Sequence, residues 1–219
     1  MTSRIDKEKE FHNVTFAEDS RASTERFYAV AESSVKEYQD LISRHGAGRS
    51  VLEYGCGADS NAIRLAHLGA KMTGIDISEV AIEESRKIAA DEGVLDAEFH
   101  VMNAEDLEFG EGTFDVVCGS AILHHLVLGR AYAQVARTLK PDGVAIFLEP
   151  LGHNPAINLY RALTPSYRTD DEHPLLMSDL ELAKAFFDRV EISFFHFASL
   201  AGVPFAGLPV FPKVLDSLE

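Results

Sequence analysis

A short apolar run, Ser50 to Tyr54, ends in Gly55-Cys-Gly57, and a second, Lys71 to Ile75, is closed by Asp76, 19 residues after Gly57. Glycines at such a bend let the backbone approach a ligand closely, and a helix starting just beyond it points N–H groups into the same space. A carboxylate about 20 residues on lies where it can accept both hydroxyls of a ribose. Each of those hydrogen bonds is worth roughly 1.5–3 kcal/mol because the acceptor is charged. Dinucleotides use a similar bend, but a dinucleotide loop asks for a third glycine where this chain has Ser60. A pyrophosphate would also meet Glu53 before the loop and Asp59 within it. Two carboxylates better suit a ligand with a cationic ammonium and sulfonium. Asp59 reads equally well as a helix N-cap. His124 and His125 follow the fourth strand-like run. Imidazole titrates near neutral pH and suits general-base work; the plainer alternative is that the pair packs beneath the ligand.

These groups need a scaffold, and the hydrophobic pattern supplies one. Strands are predicted at 50–54, 71–75, 97–102, 113–118, 144–148 and 189–197. Helices are predicted at 22–45, 61–68, 78–90 with Ser78 as N-cap, 128–139 and 178–187, with Pro141-Asp-Gly143 as a turn. Strands alternating with helices mean βαβ units and an α/β, Rossmann-like, doubly wound and mostly parallel sheet. The strand ends that carry Gly55, Asp76 and His124 then share the carboxyl edge, where such sheets bind ligands.

The chain resembles the class I S-adenosylmethionine-dependent methyltransferases, on motifs met in order from Val51 to Glu149. They are Val51-Leu-Glu-Tyr-Gly-Cys-Gly57, Gly74-Ile-Asp-Ile-Ser78, Asn103-Ala-Glu-Asp-Leu107, Phe114-Asp-Val-Val-Cys118 with Leu123-His-His-Leu126, and Leu139-Lys-Pro-Asp-Gly143. The finer resemblance is to the small-molecule, ubiquinone/menaquinone-biosynthesis-like branch. The resemblance implies S-adenosyl-L-methionine as cofactor. Glu53, Gly55, Cys56 and Gly57 would flank its methionine end, with Asp59 near its ammonium. Asp76 would hold the ribose, Ile77 would lie against the adenine, and Asn103, Ala104 and Glu105 would read the adenine edge. Gly119 would line the floor, and Tyr28 would close over the cofactor. Two positions depart from the family pattern: Asp59 stands at a usual glycine, and Asn103 where many relatives have Asp.

The acceptor is expected under residues 150–177, a Pro-, His- and Arg-rich segment. His153, Tyr160, Arg161, Arg168 and His173 are the candidates there, set against a self-paired loop in which the arginines meet Asp170, Asp171 or Glu172. Phe11, His12 and Phe16 read as a lid or a docked tail. No fixed spacing such as HExxH marks a metal site, and none is expected.

At 219 residues the chain reads as one domain: 1–48 the N-terminal helices or lid, 49–149 the cofactor core, 150–177 the covering insertion, 178–219 a helix, a strand and an apolar tail. Twenty Lys+Arg against 35 Asp+Glu leave a charge of −15, which argues against nucleic acid and anionic lipid as partners. No transmembrane segment is expected, and two cysteines without a disulfide framework fit the cytoplasm. The seventh strand of the usual class I sheet is missing or cut off. An open edge or the apolar tail would then invite a homodimer. The expected reaction is methyl transfer to a small molecule, at O or N rather than C. A protein substrate, or a cofactor-binding but inactive regulatory subunit, are the alternatives.

Overall fold

The computed structural model describes residues 4–17, 32–58, 60–94, 96–153, 158 and 173–195. Five strands, β1 (Ser50–Tyr54), β2 (Lys71–Asp76), β3 (Glu98–Val101), β4 (Phe114–Ser120) and β5 (Leu139–Leu148), form one parallel sheet in the order β3-β2-β1-β4-β5. Helices α1 (Arg4–Ala17), α2 (Glu32–Gly46), α3 (Ala62–His67), α4 (Glu79–Asp91), α5 (Leu128–Thr138) and α6 (Met177–Ala183) surround it. Strand order reverses between β1 and β4, so a crevice opens beyond their carboxyl ends.

The central strands are apolar on both faces, and neighbours in sequence serve opposite layers. Leu52, Tyr54, Ile75 and Val117 pack with Leu128, Ala131, Tyr132 and Val135 of α5. Val51, Met72, Val116 and Cys118 pack with Tyr38 and Ile42 of α2, Leu65 of α3 and Ile82 of α4. Tyr38 and Ile42 are buried apolar residues of the helix predicted at 22–45. That helix is described from Glu32; residues 18–31, with Tyr28, lie outside the described residues. Ser78 caps α4 as expected, its side chain accepting from Ala81 N at 3.2 Å.

Two expectations need correction. Pro141-Asp-Gly143 is not a turn between elements but lies within β5. Pairing steps from Phe114↔Leu139 to Val116↔Val144, so β5 carries three residues more than β4 over that interval. Lys140 Nζ and Ser50 N both reach Asp115 Oδ2, at 2.7 and 3.0 Å, and tie down the irregularity. The second correction concerns the sixth strand. Residues 189–195 join no strand ladder among the described residues, and Ile192, Phe194 and Phe195 are 37, 59 and 39% exposed. A strand needs a partner edge and a buried face; among the described residues no edge pairs with this stretch, and its core contact comes from Val190. The apolar tail from 196 onward lies outside the described residues. No helix among the described residues is long and apolar enough to cross a membrane.

Gly119 is where β4 passes closest to its neighbours. A Cβ there would stand 2.7 Å from Tyr54 O and 2.9 Å from both Ile122 and Phe147 side chains. Gly119→Ala should therefore cost about 1–3 kcal/mol by overpacking, read as a lower denaturant midpoint at unchanged slope.

Candidate active site

A cavity of about 1080 Å³ lies at the carboxyl ends of β1, β2 and β4. That is at or above the roughly 300–1,000 Å³ of most small-molecule sites, so a donor and an acceptor fit together. The bend after β1 forms its floor. Gly55 and Gly57 have φ of +71° and +57°, and a side chain at Gly55 would start 2.7 Å from Ile122. Those conformations disfavour any residue with a Cβ. The bend is pinned from β2: Cys56 N donates to Ile75 O at 2.8 Å, and Gly57 N to Asp76 Oδ2 at 2.9 Å. Ser85 of α4 donates to Gly57 O at 2.8 Å.

Asp76 lines the cavity, half-buried, with Oδ1 accepting from Ser78 N at 2.8 Å. Each oxygen has thus used one lone pair on backbone and keeps one for a ligand, which is what gripping a vicinal diol requires. Glu53 is buried at the end of β1 and also reaches the cavity wall. Its Oε1 accepts from Asn61 N and Asn61 Nδ2, both at 2.9 Å, and its Oε2 accepts from Ser60. Burial pushes the Glu53 carboxyl above the usual range, opposed by the Ser60 and Asn61 hydrogen bonds. Glu53 therefore shapes the loop as well as charging the wall. Burial also pushes the Cys56 thiol up, with Glu53 and Asp76 adding to it.

Of the residues expected at the adenine, Ile77, Asn103 and Ala104 line the cavity. Asn103 Oδ1 accepts from Glu105 N at 2.9 Å, which leaves its NH₂ group and one lone pair for a ligand. Glu105 and Gly119 do not line the cavity. The Glu105 carboxylate accepts from Val127 N at 2.9 Å and pairs with Arg4, which joins α1 to the start of α5. Gly119 is a packing glycine, and its successors Ser120 and Ala121 reach the wall instead; Ala121 sits at φ 54°. Asp59 lies outside the described residues.

The histidine pair falls on a single 3₁₀ turn, Leu123–His125, and both rings reach the cavity. His124 Nδ1 meets Glu149 Oε2 at 2.8 Å, while Glu149 Oε1 accepts from Ile122 N and Leu123 N at 2.9 and 2.8 Å. Both side chains are buried. Glu149 thus holds the turn and orients the ring at once. Pro150 to Gly152 runs beside Leu175, and His173 N donates to His124 O at 3.1 Å. So the two ends of the insertion are zipped beneath the histidines. His153 and His173 themselves are exposed and off the cavity, while Tyr160, Arg161 and Arg168 lie outside the described residues.

Several site residues escaped the sequence reading, Arg4, Ile5 and Glu8 among them. Helix α1 forms a wall of the cavity through Ile5, Glu8, Phe11 and His12. It is tied down by Arg4 donating to His125 O at 2.9 Å, Ser78 Oγ to Asn13 Oδ1 at 2.6 Å and Lys9 to Glu79 at 2.6 Å. Of the residues read as lid or docked tail, Phe11 and His12 lie on this helix; nothing describes the side chain of Phe16. Tyr38 and Arg64 also line the wall, and the Arg64 guanidinium is held by Ser43 Oγ at 2.8 Å and Gln39 O at 3.2 Å. The i, i+4 spacing of Arg4, Glu8 and His12 was the available signal in an otherwise charged segment.

Residues 51–143 match the family model of the methyltransferase domain. The chain is 32% identical over 132 residues to the ubiquinone biosynthesis O-methyltransferase of Nitrosococcus oceani, covering 58% of this chain and 55% of that protein. It spans about half the length of the curated relatives it matches. Its fold is shared with a Bacillus halodurans protein, at TM-score 0.60 and 17% identity over 81% of this chain and 80% of that one. It is also shared with the Haemonchus contortus phosphoethanolamine N-methyltransferase 2, at TM-score 0.57 and 20% identity, covering 69% and 36%.

Proposed function

We propose that this chain, whose residues 51–143 match the methyltransferase-domain model, is an S-adenosylmethionine-dependent enzyme that methylates a small molecule, at an oxygen in the first instance. When bound, S-adenosylmethionine supplies an electrophilic methyl on a sulfonium centre. The chain's own residues do the rest. Asp76 accepts from the ribose hydroxyls, Glu53 faces the ammonium, and Ile77, Asn103 and Ala104 flank the adenine. Holding the acceptor in line with the methyl supplies much of the rate, on the order of 7–11 kcal/mol in favourable cases. His124, oriented by Glu149, takes the proton from the acceptor's hydroxyl as its oxygen attacks. Buried, unbridged Cys56 and Cys118 fit a reducing, cytoplasmic setting.

One observation carries this reading: Asp76 is fixed by Gly57 N and Ser78 N at the cavity wall, with a lone pair left on each oxygen. Calorimetry with S-adenosylhomocysteine is the direct test, followed by a transfer screen against phenols, quinone precursors and amines. Micromolar binding supports the reading. No uptake, or preference for a dinucleotide, overturns it.

The Glu53 assignment has its own pH signature. Burial raises this carboxyl above the ordinary value of about 4.3, and a neighbouring ammonium would favour its ionised form. Binding should therefore release a proton from the fraction of Glu53 that is protonated. Affinity should fall as pH drops through the raised Glu53 range. Titrations at several pH values should show this slope in the wild type and a flat profile in Glu53→Gln; a flat wild-type profile would remove Glu53 from the ammonium.

A further inference from the structure

Glu8 and His12 stand one helical turn apart on α1, and His125 comes to them from the 3₁₀ turn after β4. Glu8 Oε2 lies 3.3 Å from His12 Nε2 and 3.6 Å from His125 Nδ1, and the three atoms lie within 4.8 Å of one another. We propose that these three side chains form a binding site for a divalent transition-metal ion of the zinc type.

The spacing argues for the geometry. With metal–ligand distances of about 2.0–2.1 Å, neighbouring ligand atoms stand about 3.3–3.4 Å apart in a tetrahedron but only about 2.9 Å apart in an octahedron. The observed 3.3 and 3.6 Å lie nearer the tetrahedral than the octahedral spacing, and the third pair is within 4.8 Å. Two imidazoles and one carboxylate are a donor set that zinc accepts with a fourth position left open. Both ring nitrogens of histidine serve as ligands, so the use of Nε2 by His12 and Nδ1 by His125 is chemically ordinary. His125 Nδ1 is buried and makes no hydrogen bond, a costly arrangement for a polar atom that a metal would relieve. All three residues line the cavity, so the fourth ligand comes from its contents, water or an acceptor oxygen. Arg4, one turn before Glu8 on α1, is paired with Glu105 and donates to His125 O. The simpler alternative is an ion pair between Glu8 and protonated imidazoles.

The test uses the full chain stripped with a chelator and then titrated with ZnCl₂ in competition with a chromogenic chelator, and separately with CoCl₂. One equivalent of metal should bind, the cobalt form should show the intense visible absorption of a tetrahedral centre, and zinc should raise the melting temperature. His12→Ala and Glu8→Gln should each weaken binding by about tenfold or more, since even losing an outer-shell partner costs that much. His100→Ala, remote from the cluster, should leave affinity unchanged. Should His12→Ala fail to fold, the same-shaped Glu8→Gln and the wild-type cobalt spectrum still decide. No bound equivalent, a spectrum of the aqueous octahedral ion, or affinity that survives both substitutions would overturn the site. S-adenosylhomocysteine binding, measured in chelator, reports separately on the methyl-transfer reading.

Discussion

Replacing Glu149 with Gln should lower methyl transfer about a hundredfold or more, the usual scale for losing a positioned base, with little change in S-adenosylhomocysteine affinity. The reason is tautomeric. An ionised Glu149 can only accept, so its 2.8 Å contact with His124 Nδ1 calls for the proton on that nitrogen, and the proposed base is then Nε2. In Glu149→Gln the amide oxygen can keep the two backbone N–H groups of Ile122 and Leu123. Its NH₂ group is then directed at Nδ1, which must turn acceptor. The proton moves to Nε2, and the ring can no longer take one from an acceptor there. His124→Ala should fall by a similar factor, and the double variant by no more than either alone, since the two act as a unit. Turnover is read as S-adenosylhomocysteine released per enzyme with the acceptor found by screening. A Gln variant with wild-type turnover would make the pair a structural clamp on the 3₁₀ turn. Equal loss of turnover and of product binding would point to a disturbed floor instead.

The other large effect is expected at Asp76. Asp76→Ala should weaken S-adenosylhomocysteine by at least about 2 kcal/mol, roughly thirtyfold in Kd. Two losses combine. The diol loses a charged acceptor, and Gly57 N and Ser78 N lose theirs, so the bend after β1 is no longer pinned to the end of β2. Asp76→Asn separates them, because the amide oxygen retains one backbone bond and one diol bond while the charge is gone. The expected order of affinity is wild type, then Asn, then Ala, measured by calorimetry at fixed salt. Unchanged affinity in Asp76→Ala would remove the ribose role and, with it, the orientation assigned to the whole cavity.

Much of this architecture was legible from local pattern. Ser50–Tyr54, Lys71–Asp76 and Phe114–Ser120 are apolar runs too short for helices, bounded by glycine or polar residues, and they form the middle of the sheet. Gly55, Gly57, Asp76 and Asn103 reach one cavity because a parallel sheet brings its carboxyl ends together, a consequence of alternation alone. Where local pattern failed, the deciding partner was distant in sequence. The stretch 189–195 is apolar enough for a strand, yet pairing depends on an edge that composition does not encode. Gly143 looks like a turn residue, but the register of β4 absorbs it as an irregularity within β5.

Motif order and the glycine bend belong to the sequence by itself: the fold class and the meeting of Gly55, Gly57 and Asp76 at one cavity wall follow from spacing, because the alternation of strands and helices sets them. The tertiary structure alone decided that Glu105 serves Arg4 rather than the cavity, that Glu149 orients His124, and that charged α1 lies across the site with Glu8 and His12 against His125. Those are contacts between residues 25 to more than 100 positions apart. Burial and hydrogen-bond satisfaction select them only once the chain has closed on itself.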